Sequence, residues 1–245
     1  MITKSVQEGQ LDVRIGAFYD TERSRAQQLA RMLGRSDLCK TTFEEFISAE
    51  TDVVVEAASI EAVRQHAERV VSSGKDLVVL SVGALLDEDF RGRLVLAAKC
   101  RGSRIVVPSG AIGGLDLLKA AAVKGLDSVV LTTTKSPKGL SSGKITQKTI
   151  VFEGDAVDAV RLFPQNINVA AAVAIASGAN VKVRIIADPD ATKNTHEVVA
   201  RGAFGEMKIT VSNVPSPDNP KTSYLAALSV IRSIQGMGEV LLLGA

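Results

Sequence analysis

The chain contains no tryptophan, and aromatic residues make up only 4% of its 245 residues. Binding that relies on stacking bases or sugars against aromatic faces therefore has few candidates. No charge of one sign dominates, since 29 basic residues stand against 27 acidic ones. That balance gives no electrostatic reason to expect DNA, RNA or an anionic membrane as partner. Long apolar runs are missing as well: the longest, Val169 to Ala176, is far too short to span a bilayer. No basic-then-apolar leader opens the chain, so a cytoplasmic protein is expected. Cys39 and Cys100 stand alone, without a C-x-x-C motif or a nearby His, and read as reduced thiols. No cluster of His, Cys and carboxylates has metal-ligand spacing, so metal-free chemistry is expected.

What is present is aliphatic. Apolar residues reach 46%, mostly Ala, Val, Leu and Ile, enough for one large core or two modest ones. The first hundred residues alternate strand and helix. Val13–Asp20, Asp52–Glu56, Leu77–Ser81 and Ile105–Val107 read as strands, and their Val-rich runs suit a sheet buried on both faces. Helices are expected from Thr21 to Leu33, from Ile60 to the stop at Gly74, and from Asp87 to Lys99. This is the β-α-β order of a doubly wound parallel sheet. After Asp116 the pattern changes. Strands are expected at Ser128–Thr134, Lys148–Glu153, Val181–Ala187, Glu197–Arg201 and Glu206–Asn213, with helices at Asp155–Phe163, Asn168–Ser177 and Ser223–Gln235. Met207, Ile209 and Val211 alternate with Lys208, Thr210 and Ser212, which marks a sheet with one wet or ligand-facing side. The expected division is 1–108 as an α/β domain and 109–221 as an α+β domain with a mixed sheet, with the helix in 222–245 returning to the first.

The glycine-rich stretch Ser109 to Asp116 follows an apolar run and precedes a helix, the layout of a nucleotide-binding turn. It lacks the G-x-G-x-x-G spacing and no Walker-type Gly-Lys-Ser/Thr follows it, so its bare backbone has another purpose. Asp20 ends an apolar run before a helix, where a carboxylate can accept hydrogen bonds from an adenosine ribose; an ordinary helix cap is the simpler alternative. The glycine fingerprint should precede such a residue by about 20 positions. Counting back from Asp20 reaches or passes Met1, and nothing in Met1–Gln10 resembles the fingerprint. The expectation is a missing first strand and glycine turn, through a mistaken start or a trimmed chain rather than a natural fold without its central strand. Ser81 and Ala58 end parallel strands at their carboxyl edges, the side on which such sheets bind ligands, and small residues there let a dinucleotide lie close to the backbone.

Four segments, Ser109 to Asp116, Phe163 to Ala171, Asn194 to Glu197 and Asn219 to Ala226, taken in this order, resemble the L-aspartate dehydrogenase family. The resemblance runs from about Val13 to the C-terminus. It implies a homodimer with a Rossmann-type domain and an α+β catalytic domain that oxidises L-aspartate to iminoaspartate with NAD or NADP. The product would feed NAD biosynthesis through quinolinate, with hand-over to quinolinate synthase possible. By motif, the resemblance makes Ala111 and Asn168 cofactor-binding positions and His196 the active-site residue.

The chain has two histidines. His66 reads as a surface residue at the edge of a helical stripe. His196 is either a plain strand-edge imidazole or the group that moves protons near neutral pH. Asn168 opens a helix and is either its cap or a ligand to nicotinamide. The loop Lys135–Lys144 is either a solvated surface or a cationic lid over a dicarboxylate. Asp20 favours NAD by repelling a 2′-phosphate, while Arg23 and Arg25 lie near enough to compensate. Two rival readings stand: a related two-domain dehydrogenase for another amino acid or semialdehyde, and a non-catalytic paralogue that has lost its dinucleotide loop.

Overall fold

Three short valine-rich runs build the first sheet of the computed structural model: β1 (Val53–Glu56), β2 (Asp76–Val79) and β3 (Ile105–Val106). They lie parallel in the order β1-β2-β3, with Val54 opposite Leu77 and Leu77 opposite Ile105. Leu77, Val78 and Val79 are fully buried, as expected of a strand with neighbours on both sides. The structure describes residues 1–140 (without the side chains of 138 and 139), 145–163, 168–217 and 222–241.

The described residues divide into two units. The first comprises Met1–Ser81, Asp89–Val106 and Val230–Glu239; the second comprises Val82–Glu88 and Val107–Ser229, with the chain from Val240 onward. In the first unit the helices are α1 (Ile2–Gln7), α2 (Arg23–Met32), α3 (Phe43–Ile47), α4 (Ile60–Ser72) and α5 (Glu88–Arg101). Helix α4 begins because the Ser59 hydroxyl accepts the Ala62 N–H at 3.1 Å. It buries Val63, Ala67, Val70 and Val71 in the stripe that its sequence spacing predicts. Gly74, at φ +82°, lies just beyond its end.

Two expectations fail in this unit. Val13–Asp20 is not a strand: it makes a single isolated bridge, Phe18 to Cys39, and Val13 is exposed. Apolar content is not sufficient for a strand, because a ladder needs a neighbouring backbone, and β1 pairs with β2 alone. His66 is half-buried rather than a plain surface residue. Its ring stacks on Phe43 at 3.9 Å between centroids, with Tyr19 edge-on, and its Nδ1 is buried with no hydrogen-bond partner among the described residues. Burial first, and the Arg69 charge second, hold its pKa below the usual histidine value.

The second unit is a mixed five-stranded sheet in the order β5-β6-β4-β7-β8. Its strands are β4 (Leu126–Lys135), β5 (Thr149–Asp155), β6 (Val181–Ala187), β7 (Asn194–Gly202) and β8 (Gly205–Asn213). Only the β4–β6 pair is parallel. Helices α6 (Leu115–Ala122), α7 (Ala156–Leu162) and α8 (Asn168–Ser177) belong to this unit. Val129 and Leu131, Val181 to Ala187 at alternate positions, and Val198 and Ala200 form one apolar core with Val169, Ala170 and Val173 of α8. Helix α9 (Tyr224–Gly236) follows, and its Ala226 packs against that core.

The bare stretch Ser109–Asp116 has a structural use. Gly110 and Gly114 both take positive φ, +68° and +72°. A side chain at Gly114 would collide with Ile209 of β8, whose Cγ1 would stand only 3.3 Å from the added carbon. The turn is tied at two further points. Gly110 N–H donates to Ser229 Oγ at 3.0 Å, and Asn213 Nδ2 donates to the Ala111 carbonyl at 2.9 Å.

Candidate active site

The inward positions of β4 end in two polar residues. After Val129 and Leu131, the alternation carries Thr133 and Lys135 onto the same buried face. Antiparallel pairing with β7 sets Thr133 directly opposite His196, so their side chains share that face. Thr133 Oγ1 lies 2.9 Å from His196 Nδ1. His196 is 3% exposed and Lys135 7%, so a hydroxyl, an imidazole and an ammonium are held inside an otherwise aliphatic layer.

This setting decides their protonation. Burial, and then the charge of Lys135, lower the His196 pKa to about 3. Burial lowers Lys135 to about 8. At neutral pH the imidazole is therefore neutral and the lysine mostly cationic. Beside them lies a small cavity of about 10 Å3, near the space one water needs. Thr133 and Lys135 line it together with Leu140 and the start of α8 at Val169 and Ala170.

Asn168 is the exposed first residue of α8, next to the helix residues that wall the cavity. The segment 164–167 before it lies outside the described residues, so the cap alternative does too. The Ala111 carbonyl is engaged by Asn213, in the turn that leads into α6. Of the lysines in the expected cationic lid, Lys135 belongs to β4, while Lys144 and the side chain of Lys138 lie outside the described residues. The stretch 218–221 of the fourth motif does so as well.

In the first unit, Ala58 and Ser81 come together through a residue that sequence reasoning passed over. The Glu56 carboxylate accepts the N–H groups of Ala58, Leu80 and Ser81 and the Ser81 hydroxyl, at 2.8–3.1 Å. Asp20 accepts the Glu22 N–H at 2.8 Å in a local turn. Arg25 is paired with Glu22 at 2.8 Å. Thr133 was likewise missed as a site residue, and Lys135 was read as part of a loop rather than as the end of a buried strand row. The available signal was the inward parity of β4, where a lysine is out of place in a buried row. For Glu56 it was a carboxylate closing a run of three valines.

Among the described residues no group of three or more His, Cys, Asp or Glu could hold a metal. Among the same residues no helix is long and apolar enough to cross a membrane.

Comparison with known proteins adds family information. Residues 116–237 match the model of the aspartate dehydrogenase C-terminal domain, and residues 1–108 match that of the homoserine dehydrogenase NAD-binding domain. The chain is 44% identical over 231 residues to an L-aspartate dehydrogenase of Methanospirillum hungatei, covering 94% of this chain and 90% of the relative. It is 45% identical over 245 residues to an L-aspartate dehydrogenase of Methanothermobacter thermautotrophicus, covering all of this chain and 93% of the relative. Among solved structures, the aspartate dehydrogenase of Thermotoga maritima superposes with a TM-score of 0.70 at 34% identity, covering 79% of each chain.

Proposed function

Because this chain belongs to the L-aspartate dehydrogenase family, we propose that it oxidises L-aspartate to iminoaspartate with NAD or NADP, and that His196 is its proton-transferring residue. The observation that carries this reading is the buried Thr133–His196–Lys135 cluster. In this reading residues 1–108 hold the dinucleotide and 109–221 carry the substrate chemistry. The edge formed by Ala58 and Ser81 suits the cofactor, since both side chains are small and Ala58 is exposed. Asp20, Ala111 and Asn168 are the remaining cofactor positions.

When bound, the nicotinamide ring accepts a hydride from the aspartate Cα. The chain's own residues prepare the substrate for that loss. An ammonium cannot release hydride to form an imine until it has given up a proton, so a neutral base is required. Burial keeps His196 neutral, and Thr133 fixes its ring. With Nδ1–H donating to Thr133 Oγ1, the Nε2 lone pair is left to take the proton. Lys135 supplies a cation for a substrate carboxylate. A dicarboxylate beside these two groups reverses the local charge balance: it offsets Lys135 and raises the basicity of His196 when substrate is present. Once it has passed that proton to solvent, the same imidazole activates the water that converts iminoaspartate to oxaloacetate and ammonia.

In solution the protein is a homodimer. The sheet face bearing Val130, Thr132 and Thr134, opposite the buried row of β4, offers a second copy a surface to cover. It works in the cytoplasm, and iminoaspartate released before hydrolysis passes to quinolinate synthase. The test is NADH appearance with L-aspartate for the native chain and for His196→Ala. Turnover should fall by about 1,000-fold, in the range of lost acid–base catalysis, with NADH affinity little changed. Turnover in the variant equal to that of the native chain would defeat the assignment.

A further inference from the structure

A carboxylate that receives four hydrogen bonds has a defined effect on every group that donates to it. Glu56 closes β1, and its Oε1 accepts the Ala58 N–H and the Ser81 Oγ–H, each at 2.8 Å. Its Oε2 accepts the Ser81 N–H at 2.9 Å and the Leu80 N–H at 3.1 Å. Leu80 N–H also reaches the Glu56 carbonyl at 3.2 Å. One side chain thus fastens the turn after β1 to the turn after β2, at the carboxyl edge of a parallel sheet. Such convergence is strong because every bond is charge-assisted.

These four donors are thereby spent. Backbone N–H groups at the ends of parallel strands ordinarily serve phosphate oxygens. Here three of them point at Glu56, and a fixed negative charge stands where an anion would approach. The Ser81 hydroxyl has given its only proton to Glu56, so it can meet a ligand solely as an acceptor. With these four donors taken, the half-buried negative charge and the acceptor oxygen disfavour phosphate and suit a neutral hydroxyl that donates.

We propose that Glu56 is a positioning residue that makes this edge a sugar-hydroxyl site, in which Ser81 Oγ accepts a hydrogen bond from one ribose hydroxyl of the dinucleotide. The inference rests on the dinucleotide reading above but goes further, because it fixes which part of the cofactor this edge takes and the direction of the bond. Glu56 itself touches no ligand. It acts by orienting the Ser81 proton inward.

The experiment measures NADH affinity by fluorescence, alongside NADH analogues that each lack one ribose hydroxyl. These ligands are compared on the native chain, Ser81→Ala, Glu56→Gln and Glu56→Asp. One analogue should bind the native chain about 3–10-fold more weakly than NADH, the worth of one hydrogen bond. Ser81→Ala should weaken NADH by a similar factor and abolish the difference between NADH and that analogue. Glu56→Gln sets an amide donor against backbone donors and should weaken NADH by about 10-fold or more, with partial recovery in Glu56→Asp. A merely structural role for Ser81 would leave the analogue penalty intact, and that result overturns the proposal. So does a Ser81→Ala protein that binds NADH as the native chain does, which keeps the test decisive if Glu56→Gln does not fold. If the native chain binds neither NADH nor NADPH, the dinucleotide reading fails and the Glu56 proposal falls with it. If it binds NADH and only the variants behave as native, the Glu56 proposal fails alone.

Discussion

Replacing Lys135 by methionine should make His196 a stronger base while leaving it weaker than a free imidazole. Two causes hold the His196 pKa at about 3, burial first and the Lys135 charge second. Methionine keeps the length and apolar stem of lysine, so the packing survives and only the second cause is removed. The native protein also has a calculable acid dependence. Its folded-state pKa lies below the unfolded value of 6.5, so between pH 6.5 and about 3 the unfolded chain takes up a proton that the folded chain refuses. Stability from this group is complete above pH 6.5 and is lost as pH falls. The loss is about 2 kcal/mol at pH 5 and reaches about 4 kcal/mol near pH 3. In Lys135→Met the window narrows from below and the loss at low pH shrinks. Histidine ring NMR measures the titration directly, since the chain has two histidines and a His66→Gln variant leaves one. Urea unfolding at pH 7 and pH 5 measures the linked stability. A native His196 that titrates near 6.5, or one whose midpoint is the same with and without Lys135, would refute the argument.

Two further outcomes follow from the same geometry. Thr133→Val removes the partner of His196 Nδ1 and should lower kcat by about 10–100-fold through loss of ring orientation and tautomer, with KM for NAD unaffected. Steady-state kinetics with each substrate varied separates the two parameters, and a rise in the NAD KM alone would contradict the role. Gly114→Ala meets both a positive φ and the Ile209 side chain, and should cost about 1–3 kcal/mol in urea unfolding. A variant as stable as the native chain would show that the turn can relax around a methyl group.

How much of this was legible in the sequence depends on the range of the interaction. The α4 stripe of Val63, Ala67, Val70 and Val71 and the stop at Gly74 are recorded in residues within a few positions of one another, and both appear as read. So does the alternation of β8, whose Met207, Ile209 and Val211 are half-buried while Lys208 and Thr210 are exposed. The catalytic assignment of His196 came from resemblance to a family motif; the chain by itself offered an imidazole between polar and apolar neighbours. Val13–Asp20 misled because its apolar character is local while strand pairing is not.

The sequence by itself determined the two kinds of domain, the places where helices start and stop, and the parity of each strand, because these follow from backbone periodicity and from caps that act over one turn. Only the tertiary structure decided what those residues became. Parity put Lys135 and Thr133 on the row of Leu131, but register against β7 brought Thr133 to His196, and α8 turned that face into an interior. Burial then took protons from one group and weakened the hold of another, an effect of desolvation that no string of residues records. Glu56 shows the same dependence on distance. Its nearest donor is two residues away in Ala58, but the others come from Leu80 and Ser81, across two strands that had first to lie side by side.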